Sequence, residues 1–233
     1  MAKTEETPWF ENPTGPVSIV GVPADEAFSL WTEYRSETSR TGRWPVIVGD
    51  VRSRDILQAS ALGEPVDIAQ TVEVARELDI SHILLDRLSE LMEEPEALEE
   101  IGFDFDPDLL QAKRQDDESY FNSESGEVFL ALLPTVNGWE APAHFSYGEW
   151  NDYPSVLDHV AMLHYWNERH GTELVALTYD TVELYTAKPI LDPQGAKRLA
   201  HEWFAYSADN VPEDMSEAAQ SLLGARFWFS WWD

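Results

Sequence analysis

The stretch Glu127-Val-Phe-Leu-Ala-Leu-Leu133, followed by Pro134 and by Trp139-Glu-Ala-Pro142, decides the fold. An unbroken apolar run from Val128 to Leu133, bounded by turn formers, reads as a strand buried on both faces and therefore internal to a sheet. Leu174-Val-Ala-Leu177 is a second such run, and the closing Arg226-Phe-Trp-Phe-Ser-Trp-Trp-Asp233 supplies a third. In that last segment Phe227, Phe229 and Trp231 point one way while Trp228, Ser230 and Trp232 point the other. A strand this apolar is expected inside the sheet, because an exposed edge of that kind invites aggregation. All three runs are thus expected to be central strands of one sheet.

Working outward, residues 17–22 (VSIVGV) and 44–49 (WPVIVG) are short β-rich runs on either side of a segment carrying Ala27, Phe28, Leu30, Trp31 and Tyr34 at helical spacing. Strand, helix, strand in that order predicts a βαβ crossover with a parallel pair. Residues 1–16 hold Pro8, Pro13, Gly15 and Pro16 and read as an extended lead-in. From Arg54 to about Leu110 the pattern is helical. Residues 156–170 form a helix closed by Gly171, and Tyr179-Asp-Thr181 is a tight turn between strands. Here Asp180 is a turn residue and Glu183 an exposed strand position. Residues 194–208 and 213–223 add two more helices. The fold class is α/β: a mixed, mostly buried sheet flanked by helices, with an acidic helical segment on the surface. The expected organisation is a lead-in at 1–16, an α/β portion at 17–122, and a second α/β portion at 123–233 sharing one core with residues 17–49.

Forty-four Asp and Glu against 15 Lys and Arg give a formal net charge of −29. That charge repels nucleic acid and anionic membranes, so direct binding to either is not expected. Thirteen of the acids fall between Asp86 and Glu118, with only Arg87, Lys113 and Arg114 among them. A solvated coat, a lure for a basic partner, or a mimic of nucleic-acid phosphate all fit such a surface. If the segment is an interface, Glu93, Glu94, Glu99 and Glu100 are its candidate contacts. No basic region followed by an apolar stretch opens the chain, and no run of about 18 apolar residues occurs, so a cytoplasmic protein is expected.

Zero Cys removes disulfides, thiolate metal sites and thiol nucleophiles. His159, His164 and His170 share one helix, but steps of five and six residues rotate them by about 140 and 240 degrees. They do not share a face, no HExxH is present, and no metal is expected. Neither GxxxxGK[ST], GxGxxG nor GxSxG occurs, so no nucleotide cofactor is expected either. The loop at residues 134–154 is the best site candidate, gathering Thr135, Asn137, Trp139, Glu140, His144, Trp150, Asn151 and Asp152 beside a strand end. In an enzyme, Glu140 or His144 would be the general base and Asn151 a polarising donor. Otherwise Trp139 and Trp150 cap the core and the polar groups satisfy the loop backbone.

Leu132-Leu-Pro-Thr-Val-Asn-Gly-Trp-Glu-Ala-Pro-Ala143, Trp150-Asn151, Tyr165-Trp-Asn-Glu-Arg-His-Gly-Thr-Glu-Leu-Val-Ala-Leu-Thr178 and Phe227-Trp-Phe-Ser-Trp-Trp-Asp233 together resemble an uncharacterised bacterial domain-of-unknown-function family, DUF4253. The resemblance covers roughly residues 123–233 and implies a fold more than a function. It also implies Cys near the positions held here by Tyr153 and Ser207, and their absence argues against a thiol role. The functional expectation is an acidic, non-catalytic protein that engages or neutralises a basic protein partner, as an immunity or anti-defence factor would. The alternatives are a small-molecule hydrolase or transferase using residues 139–152, and a nucleic-acid mimic.

Overall fold

The computed structural model describes residues 5–91, 119–123, 126–149, 153–208 and 215–232. The apolar run of the opening stretch is β4 (Glu127–Leu133), the third strand in a seven-stranded mixed sheet of order β1-β2-β4-β3-β5-β6-β7. The other strands are β1 (Thr7–Asn12), β2 (Gly15–Pro23), β3 (Trp44–Ile47), β5 (Thr172–Leu177), β6 (Thr181–Thr186) and β7 (Phe227–Trp231). β4 runs antiparallel to both neighbours, Leu130 facing Val20 on one side and Ile47 on the other. Helix or sheet lies on both its faces, which is why its sequence shows no alternation.

Two expectations about pairing are corrected. β2 and β3 do not pair with each other, because β4 inserts between them, antiparallel to each. The parallel pair of the sheet is instead β3 with β5, at Ile47↔Ala176. β7 lies at the edge rather than inside. Its apolar rings are covered by local elements in place of a further strand. The Phe227 ring lies 5.0 Å from Phe28 and 5.2 Å from Tyr185, and Phe229 lies 4.9 Å from Tyr120. On the opposite face Trp203 Nε1 donates to Ser230 Oγ at 3.0 Å and the Trp228 ring meets Trp166. Inside the segment read as a lead-in, β1 forms the other sheet edge, with Pro8 where its missing N–H costs least.

Several helices begin at a capping side chain. α1 (Ala27–Ser36) and α2 (Thr38–Thr41) connect β2 to β3. α3 (Val51–Gly63) and α4 (Ile68–Glu77) are capped by Asp50 and Asp67, which accept from Ser53 N and Gln70 N. α5 (Ile80–Leu91) follows. The candidate loop, expected to be irregular, contains a 3₁₀ turn at Gly138–Glu140 and α6 (Ala141–Phe145). α7 (Val156–His170) starts in a Ser155–Asp158 capping box and stops at Gly171, φ 64°. α8 (Pro193–Tyr206) packs behind β7 through Trp203, and α9 (Met215–Leu222) packs against α8. One apolar cluster runs from Phe10 and Val17 through Leu130 and Val175 to Trp232, so both halves of the chain contribute to the same core. Glu93, Glu94, Glu99 and Glu100 lie outside the described residues.

Burial ranks the strands. Leu130 is fully buried in β4, so Leu130→Ala is expected to lower stability by about 2–5 kcal/mol. Phe229→Ala, at the half-buried edge, should cost clearly less. Urea unfolding of the two variants measures the difference, and equal losses would contradict the strand order.

Candidate functional site

The loop after β4 is knitted together by Glu140. Its carboxylate accepts from Thr135 Oγ1 at 2.5 Å and from Asn137 Nδ2 at 2.9 Å, and it pairs with Arg76 at 3.5 Å. The same Arg76 guanidinium lies 5.0 Å from the centre of the Trp139 ring, whose other neighbour is His164 at 4.4 Å. Both Glu140 oxygens therefore already serve the loop. His144 is buried within α6, and among the described residues neither ring nitrogen has a hydrogen-bond partner. Burial pushes its pKa down to about 4. It is a neutral core imidazole, and its backbone carbonyl accepts from Asn12 Nδ2 at 3.1 Å. The structure thus joins Trp139 and Glu140 through Arg76 and leaves His144 apart. Trp150, Asn151 and Asp152 lie outside the described residues.

The far end of this loop reaches a different place. Tyr153 donates its hydroxyl to Tyr179 O at 3.2 Å, and its ring stacks on Trp232, whose backbone N–H donates to Asp180 O at 3.1 Å. His159 stands behind them, its Nδ1 2.7 Å from the Tyr206 hydroxyl and its ring 4.8 Å from Tyr147. Burial drives the His159 pKa down to about 3 and those of Tyr147 and Tyr206 up. This aromatic block supports the β5–β6 turn from inside.

On the outer side of that turn lies a cleft of about 210 Å³, at the carboxyl ends of the parallel strands β3 and β5. Such ends are where α/β sheets hold ligands. Gly49, with φ 77°, turns the chain out of β3 so that Asp50 can cap α3. A Cβ on Gly49 would stand 3.0 Å from the Ser53 side chain. Ser53 Oγ accepts from Tyr179 N at 3.0 Å and so joins the two strand ends. Asp180 Oδ1 accepts from the hydroxyls of Thr178, at 2.9 Å, and Thr181, at 3.1 Å. Tyr120, Phe121, Phe229 and Trp231 complete the lining.

Sequence reasoning missed Asp50, Ser53 and Tyr179 as site residues and read Asp180 only as a turn residue. The available signal was Val48-Gly-Asp50, an apolar strand ending in a glycine and a helix cap. Glu183 is another correction. It is 1% exposed, not an exposed strand position, and its carboxylate accepts from Ser119 Oγ at 2.8 Å and Tyr120 N at 2.7 Å. Its neighbour across the sheet is Phe229, and the 3₁₀ turn at Tyr120–Ser123 covers that face. Among the described residues, no three His, Asp or Glu side chains are arranged to hold a metal. Nor is any helix among them long and apolar enough to cross a membrane.

Two expected outcomes follow from the loop. Glu140→Ala should destabilise by about 1–3 kcal/mol, since it strands the donors of Thr135 and Asn137, whereas a surface carboxylate such as Glu73 should tolerate the same change; denaturant melts compare them. His144 has a folded pKa of about 4, below the usual histidine value of about 6.5. The unfolded chain therefore binds the proton first, and stability is lost as pH falls from about 6.5 towards 4. His144→Leu should flatten that decline, and an unchanged slope in urea melts across this window would show that the imidazole is not held neutral.

Phe129 on β4, the supporting block and the 178–181 turn all fall within residues 129–233, whereas Gly49, Asp50 and Ser53 precede that part of the chain. No curated protein and no solved structure matches the chain. Residues 129–233 match a protein-family model, and this part of the chain is similar to the family described as Domain of unknown function (DUF4253).

Proposed function

We propose that the protein is an acidic, non-catalytic binding protein that engages a basic protein partner in the cytoplasm, in the manner of an immunity or anti-defence factor. The distribution of charge carries this reading. The net charge is −29, and many of the cations are already paired: Arg35 with Glu173, Arg40 with Glu37, Arg43 with Glu6, Arg54 with Asp55 and Arg76 with Glu140. Asp25, Glu26, Glu33, Glu64, Glu73 and Glu77 stand exposed. A surface of this kind raises the encounter rate with a cationic partner. The alternative is a small-molecule hydrolase or transferase using residues 139–152, whose candidate bases Glu140 and His144 are respectively engaged by the loop and enclosed in the core.

Capture on the immobilised chain from a native lysate, with elution by a salt gradient and mass spectrometry, tests this. The expected result is a strongly basic partner whose reconstituted affinity falls about tenfold or more between about 0.05 and 0.3 M salt. Recovery of neutral or acidic proteins alone, or an affinity flat against salt, would overturn the reading.

A further inference from the structure

Two stretches distant in sequence, residues 49–53 and 178–181, meet at the cleft at the carboxyl ends of β3 and β5. Asp50 reaches it from the start of α3 and Asp180 from the β5–β6 turn, and each is oriented through Oδ1, by Ser53 N and by the Thr178 and Thr181 hydroxyls respectively. Tyr179 lies beside Asp180 in the same lining. The Arg52 guanidinium rests 4.9 Å from the centre of the Tyr179 ring without lining the cleft, so this ring already accepts a planar cation. The positive end of α3 points at the same mouth, but the Asp50 carboxylate that caps it opposes an anion there.

Size narrows the occupant further. About 210 Å³ is below the roughly 300–1,000 Å³ of sites that enclose drug-sized ligands and cofactors. It suits the planar tip of one side chain. Carboxylates from two elements, with a ring beside them, match a guanidinium, which forms directed hydrogen bonds to carboxylates and stacks on aromatic faces. An ammonium offers neither the fork nor the flat face. We infer that this cleft is the receptor for a guanidinium group, supplied by an arginine side chain of the basic partner. The inference rests on the binding function proposed above and assigns it a contact point.

The test titrates the full chain with a short arginine-rich peptide, its lysine counterpart and acetyl-arginine amide, following tryptophan fluorescence and the amide resonances of Thr178, Tyr179 and Asp180. Asp50→Asn keeps the helix cap, since Asn caps as well as Asp. Asp180→Asn keeps an acceptor oxygen for its two threonines. Each is expected to weaken the arginine peptide about fivefold and the pair about twentyfold, with Tyr179→Leu costing about threefold. The control pair Glu5→Gln and Glu11→Gln, exposed at the β1 edge on the far side of the sheet, should change it less than about twofold. The lysine peptide should bind more weakly than the arginine peptide.

Equal losses from the two double variants, or equal binding of the two peptides, would overturn the cleft while leaving attraction by the general acidic surface intact. Acetyl-arginine amide binding as tightly as the peptide would move the source to a free guanidinium compound and overturn the partner's role. If the arginine peptide fails to bind at low salt, the cleft assignment falls. The lysate capture then decides the wider reading separately.

Discussion

The contact on which the rest of the structure depends is the indole of Trp44. β3 is only four residues long and meets β5 at one register pair, so backbone bonding alone joins the two halves of the sheet weakly. Trp44 Nε1 crosses that junction and donates to Leu174 O at 3.1 Å. The Arg35 guanidinium lies 4.3 Å from the centre of the ring and binds Glu173 on β5, with Nε 3.0 Å from the carboxylate. Gly138 packs against the indole so closely that a Cβ there would come within 2.4 Å of it. One side chain thus fixes β3, β5 and the loop after β4 together. The relative position of Asp50 and Thr178, and with it the cleft, is set at this junction.

Elsewhere the core tolerates polar groups only where neighbours hold them. Glu202 is buried between the Tyr165 hydroxyl at 2.9 Å and Trp166 Nε1 at 3.0 Å. Burial raises its pKa and these hydrogen bonds oppose the rise. Glu183 is held by a hydroxyl and a backbone N–H at the start of the 3₁₀ turn. His144 and His159 follow the other route, remaining neutral because burial makes protonation costly. Hydrogen-bonded carboxylates and neutral imidazoles are two solutions to the same desolvation problem. They explain why Glu and His in the core need not mark catalysis.

What the sequence made legible was local. β4 showed its burial on both faces, and α7 announced both ends through Ser155, Asp158 and Gly171. The α/β class with a mixed sheet followed from such segments. The order of strands did not, because β4 enters between β2 and β3 from about 80 residues further along, and no periodicity encodes that pairing. β7 looked central because apolar content reports burial without naming what buries it, which here includes Phe28 and Tyr120. The site divided along the same line. Thr135, Asn137 and Glu140 are within five residues and were visible as a cluster, whereas Asp50 and Asp180 meet only because β3 and β5 run parallel.

The placement of the few cations links stability to association. Arg35, Arg43 and Arg76 reach carboxylates 138, 37 and 64 residues away and tie separate elements together. Held at those joints, they form no ion pair, among the described residues, with Glu33 of α1 or Glu73 and Glu77 of α4. The folded protein therefore carries a self-repulsion that mobile ions relieve, because at 0.15 M salt the screening length is about 8 Å. Attraction of any cation to such a surface is weakened by the same ions. Salt consequently acts with opposite signs on the two processes, raising the melting temperature of the isolated chain while lowering its affinity for a cation. A chain whose melting temperature fell with added salt would instead be held chiefly by its ion pairs, and its acids would not act as a repulsive surface.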